Sequence, residues 1–383
     1  MFDIITIGTA TRDVFLTSPV FKVLRDKKHL SRIGFPTGEA QCLSLGGKIE
    51  INEPVFTTGG GATNAAVTFG RQGFKTAALI KVGRDESAEN ILKELQKEKI
   101  IPLATKEKAK TTAFSVIFLA PAGERTILVY RGASDDLKIK EIPFEKIDCR
   151  WAHISPGNTP YPVIKRLFNH FSKNKILIAF NPSRYFLDMG IKKLTPLLNK
   201  TKVAILNREE AASLTGVDYQ KEKEIFKKLD TLLNKTKVAI LNREEAASLT
   251  GVDYQKEKEI FKKLDKVIDG IAVMTESDKG VLVSDGKNIY KAGIFKGRLV
   301  DRTGAGDAFG SGFVAGLIHE IGNWKLEIGN LPPKAVEYAI RLGSANATSV
   351  IESIGAKEGI LTRQEFEKSP RWKNLLIKVK NLR

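Results

Sequence analysis

"GGGATNAAVTFGRQGFKTAALIKVG", residues 59–83, runs from a glycine cluster through a helical pattern of small residues into a short apolar run. That order predicts a turn, a helix and a buried strand. The alternation recurs on both sides: "DIITIG" precedes it, and "AENILKELQKEK", "KILIAFN", "KVAILN" and "GIAVMT" follow. Strands alternating with helices build a parallel sheet covered on both faces, so the expected class is α/β. Ligands of such sheets gather at the carboxyl ends of the strands.

Two stretches depart from this rhythm. Residues 14–58 and 109–131, including "KIEINEPVFTT" and "TTAFSVIFLAPAGERTILVYRG", read as strands and turns without helices. They predict a small β-sheet apart from the main layer, covering a site. The whole chain, 383 residues with 42% hydrophobic content, reads as one globular domain.

The formal charge of +18 raises the question of a nucleic-acid partner. The excess is spread through mixed segments such as "KELQKEK" and "YQKEKEIFKKLD", which read as solvated helix faces, so no nucleic acid is expected. A positive field also suits an anionic substrate. Cys42 and Cys149, far apart and without metal-like spacing, argue against a disulfide framework. "MFDIITIGTA" lacks the pattern of a signal peptide and no run has the length of a membrane span, so a cytoplasmic protein is expected.

"LLNKTKVAILNREEAASLTGVDYQKEKEIFKKLD" occurs at 197–230 and again, letter for letter, at 232–265. Two identical copies are too few for a solenoid and read as a tandem duplication. Each holds one strand and one helix. The expectation is that one sheet position takes one copy and that the other is surplus, leaving from the edge away from the strand carboxyl ends.

The chemistry is concentrated in "DRTGAGDAFGSG", residues 301–312. Gly304, Ala305 and Gly306 bring backbone amides together ahead of an apolar helix, which makes a cradle for an anion such as a phosphate. Asp307, in the first turn of that helix, either caps it or accepts a proton from a hydroxyl that attacks a phosphoryl group. The glycines at 59–61 similarly let a ligand approach the backbone, and Asn64 can exchange hydrogen bonds with a hydroxyl-rich substrate.

Together "GGGATNAA" and "DRTGAGDAF" resemble the ribokinase-like (PfkB) carbohydrate kinases over nearly the whole chain. The resemblance implies a three-layer sandwich with a mostly parallel central sheet and a small β-sheet lid. It also implies transfer of the γ-phosphate of ATP to a sugar or nucleoside hydroxyl. By position, Asp307 matches the catalytic base, and Gly304, Ala305 and Gly306 match the anion hole. Asp13, taken to close the first strand, matches the acid that grips substrate hydroxyls, beside Gly60, Gly61 and Asn64. Thr275, Gly280, Asn346 and Gly355 match the nucleotide pocket. The N-x-x-E pattern, which helps hold Mg²⁺ through water, falls on Asn207 and Glu210 or on the duplicate pair Asn242 and Glu245, with the first copy favoured. Asp301 and Thr303 resemble the edge of a monovalent-cation site, such as one for K⁺. A homodimer through the lid is also expected.

Departures narrow the substrate. Ser277 stands where the family often has Gly, Gly61 stands where ribose-specific members carry Lys, and "HISPGN" lacks their acidic residue, so ribose is not the expected acceptor. Phe114, Phe118 and Tyr130 could stack on a nucleoside base or belong to the lid core. Arg125 and Arg131 keep a sugar-phosphate kinase as the alternative. A non-catalytic sugar or nucleotide sensor is a further one. A dinucleotide oxidoreductase is opposed by "GTATRD", which lacks the G-x-G-x-x-G turn after the first strand.

Overall fold

The computed structural model describes residues 1–382 apart from 36–37, 122, 207–235, 243–245, 248–249, 251, 254, 269 and 322–330. Its centre is an eleven-stranded sheet. From one edge the strands are Ile101–Lys106, Thr76–Val82, Phe2–Gly8, Cys149–Ser155, Leu177–Phe180, Val203–Ile205, Val238–Asn242 and Ile271–Thr275, all parallel. Val281–Ser284, Asn288–Ala292 and Ile377–Asn381 complete it in antiparallel order. The parallel strands read as continuous apolar runs because helices cover both their faces: Thr76–Val82 is buried at every position.

On one face the helix Tyr161–Lys173 packs Leu167, Phe168 and Phe171 into the core. On the other lie Gly61–Arg71, Ala305–Ile321 and Pro333–Val350. Small residues along Gly61–Arg71 and Ala305–Ile321 let these two helices approach closely, and Ser311 Oγ donates to Thr68 Oγ1 across the contact (2.9 Å). Among the described residues no helix is long and apolar enough to cross a membrane.

The lid is a separate four-stranded sheet in the order Val55–Gly59, Thr11–Thr17, Ala113–Leu119, Arg125–Tyr130. Two expectations need correction here. Asp13 does not close the first strand: the chain breaks at Thr9 and Ala10 and then forms a lid strand, on which Asp13 sits opposite Thr57 and Ser115. The stretch 14–58 also contains a short helix, Lys27–Arg32, started by Asp26, whose side chain accepts the His29 amide.

The repeat brings a third correction. Both copies supply a strand to the main sheet, side by side, with Val203 opposite Val238 and Ile205 opposite Ile240. The reason is burial. A Val-Ala-Ile-Leu strand is apolar on both faces, and the sheet interior pairs its backbone groups while helices cover those faces. Val203, Ala204, Val238 and Ala239 are each no more than 1% exposed.

Candidate active site

The helix Ala305–Ile321 begins where the chain leaves a turn at Gly304, whose φ of +78° is one that glycine adopts without strain. A Cβ at this residue would also stand 2.6 Å from that of Ala356. Ala308 N–H donates to the Gly304 carbonyl (2.8 Å). In a helix so started the amides of Gly306 and Asp307 have no intrahelical acceptor, and Gly306 has open space beside it.

Asp307 sits between two asparagines. Asn64 Nδ2 donates to its Oδ2 (3.1 Å), and Asn181 Nδ2 approaches its Oδ1 (3.4 Å). Burial pushes the Asp307 carboxyl above its ordinary value, partly offset by the bond from Asn64. A cap would turn its carboxylate back to its own helix's amides; this one faces side chains from two other elements. Asn181 escaped the sequence reading. It follows directly on the strand Leu177–Phe180, and the carboxyl end of a parallel strand is the signal that could have found it.

Asn64 lies one turn into the helix Gly61–Arg71, which connects Asp307 to the lid side. Gly59 packs against Asp13 so tightly that a Cβ there would fall 2.0 Å from Asp13 Oδ2. Asp13 is buried, its Oδ1 has no protein partner, and burial raises its pKa against hydrogen bonds from Ser115 and Thr11 and the charges of Lys357 and Arg12. Gly61 packs over Ser155 at the end of the strand Cys149–Ser155. Phe114 and Phe118 alternate with Ser115 on their strand and so face away from Asp13; Phe118 packs edge-on against Phe21 (5.5 Å), and Tyr130 lies opposite Phe114. The three aromatics therefore do not surround the Asp13 side.

From Asp307 a cavity of about 610 Å³ extends along the carboxyl ends of the strands. Thr275, Ser277 and Gly280 line it, as do Asn242, Arg302 and Gly306. The helix Pro333–Val350 adds Ser344, Ala347 and Thr348. Asn346 is instead fully buried: one helical step turns it from the cleft, and its Oδ1 accepts the Leu361 amide (3.1 Å). Gly355 stands behind the glycine turn and donates its amide to Asp301 Oδ2 (3.1 Å). Neither residue lines the cavity, which corrects the expectation for both.

Asp301 is fully buried, and its Oδ1 accepts both the amide (2.9 Å) and the hydroxyl (2.7 Å) of Thr303. With Gly355 on the other oxygen, this carboxylate holds the turn together. Of the repeated N-x-x-E pair only Asn242 lies within the described residues; Asn207, Glu210 and Glu245 lie outside them. Among the described residues no group of three or more His, Cys, Asp or Glu could hold a metal ion.

Residues 37–229 and 217–363 match the pfkB family of carbohydrate kinases. An uncharacterised sugar kinase of Archaeoglobus fulgidus is 24% identical over 298 residues, covering 76% of this chain and 96% of that one. A cytidine kinase of Thermococcus kodakarensis is 23% identical over 316 residues, 79% of this chain and 90% of that one. The solved structure of a Giardia lamblia ribokinase superposes with a TM-score of 0.67 at 17% identity, covering 96% of this chain and 99% of that one. The architecture is the ribokinase fold.

Proposed function

The chain belongs to the pfkB family of carbohydrate kinases and is a phosphotransferase, and from that premise we propose that it moves the γ-phosphoryl of ATP to a hydroxyl of a small sugar or nucleoside, with Asp307 as the base. The observation that carries this reading is the position of Asp307: beside free helix amides, held by Asn64 and Asn181, at the head of the long cavity.

In this reading Asp13, Gly60, Gly61 and Asn64 bind the acceptor. Asp13 Oδ1, buried without a partner, is the acceptor atom that a substrate hydroxyl would satisfy. The oriented hydroxyl gives its proton to Asp307 as its oxygen attacks the γ-phosphorus, and ADP leaves with the bridging oxygen. In this reading charge building on the transferred group meets the amides of Gly304, Ala305 and Gly306, the Ala305 amide giving up its long bond to the Arg302 carbonyl (3.4 Å) to do so. Thr275 and Gly280 flank the donor's end of the cavity, with Ser344 and Thr348 taking the part expected of Asn346 and Gly355.

Mg²⁺, when bound with the triphosphate, offsets charge on the phosphate oxygens while keeping most of its water, so it asks little of the protein. Asn242 fits that demand from the cavity wall. Asp301 and Thr303 hold the turn, and both Asp301 oxygens already accept hydrogen bonds from Thr303 and Gly355. A homodimer through the lid completes the proposal; what supports it is the edge strand Arg125–Tyr130, exposed along its whole length with Leu128 and Tyr130 among its residues.

ADP release over a panel of free sugars, nucleosides and fructose 6-phosphate tests the acceptor class. Turnover of at least one free sugar or nucleoside is expected, and turnover of fructose 6-phosphate alone would reject it.

A further inference from the structure

One buried cation has no part in the reaction above. Lys357 is 3% exposed and lies on the segment between the helices Pro333–Val350 and Arg363–Lys368. Its Nζ donates to Thr58 Oγ1 and lies 2.6 Å from Glu94 Oε1. Thr58 Oγ1 in turn donates to Glu94 Oε2 (2.6 Å), closing a three-membered polar cluster on the lid side of the molecule. Burying an ammonium carries a desolvation cost that only good partners offset, so this placement calls for a reason.

The neighbours supply one. Thr58 precedes Gly59, which packs on the Asp13 carboxylate, while Ala356, next to Lys357 in the chain, packs under Gly304. The segment thus touches the proposed acceptor wall with one residue and the glycine turn with the next. Its backbone is fixed as well: Arg71 Nη1 donates to the Lys357 carbonyl (3.1 Å), and the Lys357 amide donates to Glu358 (3.0 Å).

We propose that Lys357 is a positioning residue that ties the support of the glycine turn to the Thr58–Gly59 wall and places a positive charge near Asp13, so that acceptor and phosphoryl group are held in fixed relation. This rests on the reading that Asp13 binds the acceptor. The charged groups around the pair are Arg12 on Asp13's own strand, Glu94 and Glu98 from the helix Glu86–Lys97, and Glu358 beside Lys357. Ser115 and Thr11 donate hydrogen bonds to Asp13.

The charge role is read without any ligand, by ¹³C NMR titration of protein labelled at aspartate Cγ, the Asp13 signal being identified by its loss in D13N. K357M should move the Asp13 titration upward by about 1 unit, since an opposite charge has been removed. E94Q should move it downward, because Lys357 then faces Asp13 without its own partner. A structural salt bridge with no influence on Asp13 would give no such opposite pair of shifts. The K357M variant should also raise the KM of the acceptor found by the panel at least tenfold with the ATP KM within twofold, and K357R should restore most of it. An Asp13 titration unmoved in both folded variants overturns the proposal; if K357M fails to fold, E94Q decides alone. The underlying reading is tested separately, since D13N with an unchanged acceptor KM would reject Asp13 as an acceptor ligand whatever the titrations show.

Discussion

Asn64 and Asp307, from two helices distant in sequence, meet at 3.1 Å, the amide of one donating to the carboxylate of the other. This bond joins the glycine cluster at the front of the chain to the one at the back. It also lowers the pKa of a carboxyl that burial has raised. Replacing Asn64 by Ala should therefore let the Asp307 pKa rise further. The acid limb of kcat should move to higher pH by about 1 unit, the scale of one hydrogen bond to a charged group. A pH–rate profile of N64A beside the wild type checks this.

Burial that raises a carboxylate pKa also costs stability while the group is ionised. Above its folded-state pKa Asp307 carries that cost; as pH falls below the value of an unfolded aspartate the cost disappears. D307N should accordingly melt higher than the wild type near pH 8, by roughly 1–2 °C for a chain of this size. The difference should close by about pH 4, near the ordinary aspartate value. Melting curves at the two pH values test the sign, and a D307N protein that melts lower at pH 8 would contradict it.

Ser277 has a φ of +52°, in the left-handed region where glycine is at ease and other residues are strained. This accounts for the preference for glycine at that place in the family. S277G should stabilise the fold by up to about 1 kcal/mol, the cost of a left-handed non-glycine residue less the entropy that glycine loses on folding. Because Ser277 lines the cavity, the ATP KM of S277G should also change. Denaturant midpoints and ATP titrations measure the two effects.

The duplicate strands Val203–Ile205 and Val238–Asn242 carry the same apolar residues in the same register. Either should fill a single sheet position, so deletion of residues 231–265 should give a cooperatively folding protein that still releases ADP. It would also remove one strand spacing, about 4.8 Å, between Asn181 and Thr275. We therefore expect an ATP KM equal to or below that of the full chain. Loss of cooperative folding would mean that both strands are required.

Much of this was legible because the main sheet speaks in simple periods: an apolar run such as Thr76–Val82 is buried at every position, and a small-residue helix such as Gly61–Arg71 is buried from Ala62 to Phe69. The residues near Asp307 were found through backbone demands, since glycine-rich turns mark where a chain must approach a ligand. Asn181 was missed because a lone asparagine after a strand carries no such mark. The family resemblance puts Asn346 at the cavity although the adjacent Ala347 faces it, a difference of 100° around a helix that matching by position does not resolve. Asp13 was set on the wrong strand because "GTATRD" contains the break between the two sheets. The fate of the repeat was misread for a physical reason as well: equal strands compete for a sheet only if the sheet cannot widen, and this one did.

The most direct test of Asp307 as the base is ADP release by wild type and D307N over the same panel of sugars and nucleosides, with ATP affinity measured alongside. The wild type should turn over at least one of them, and D307N should lose about 10²–10⁴-fold in kcat with ATP affinity kept. A D307N enzyme that works at the wild-type rate would leave Asp307 a helix residue and contradict the mechanism.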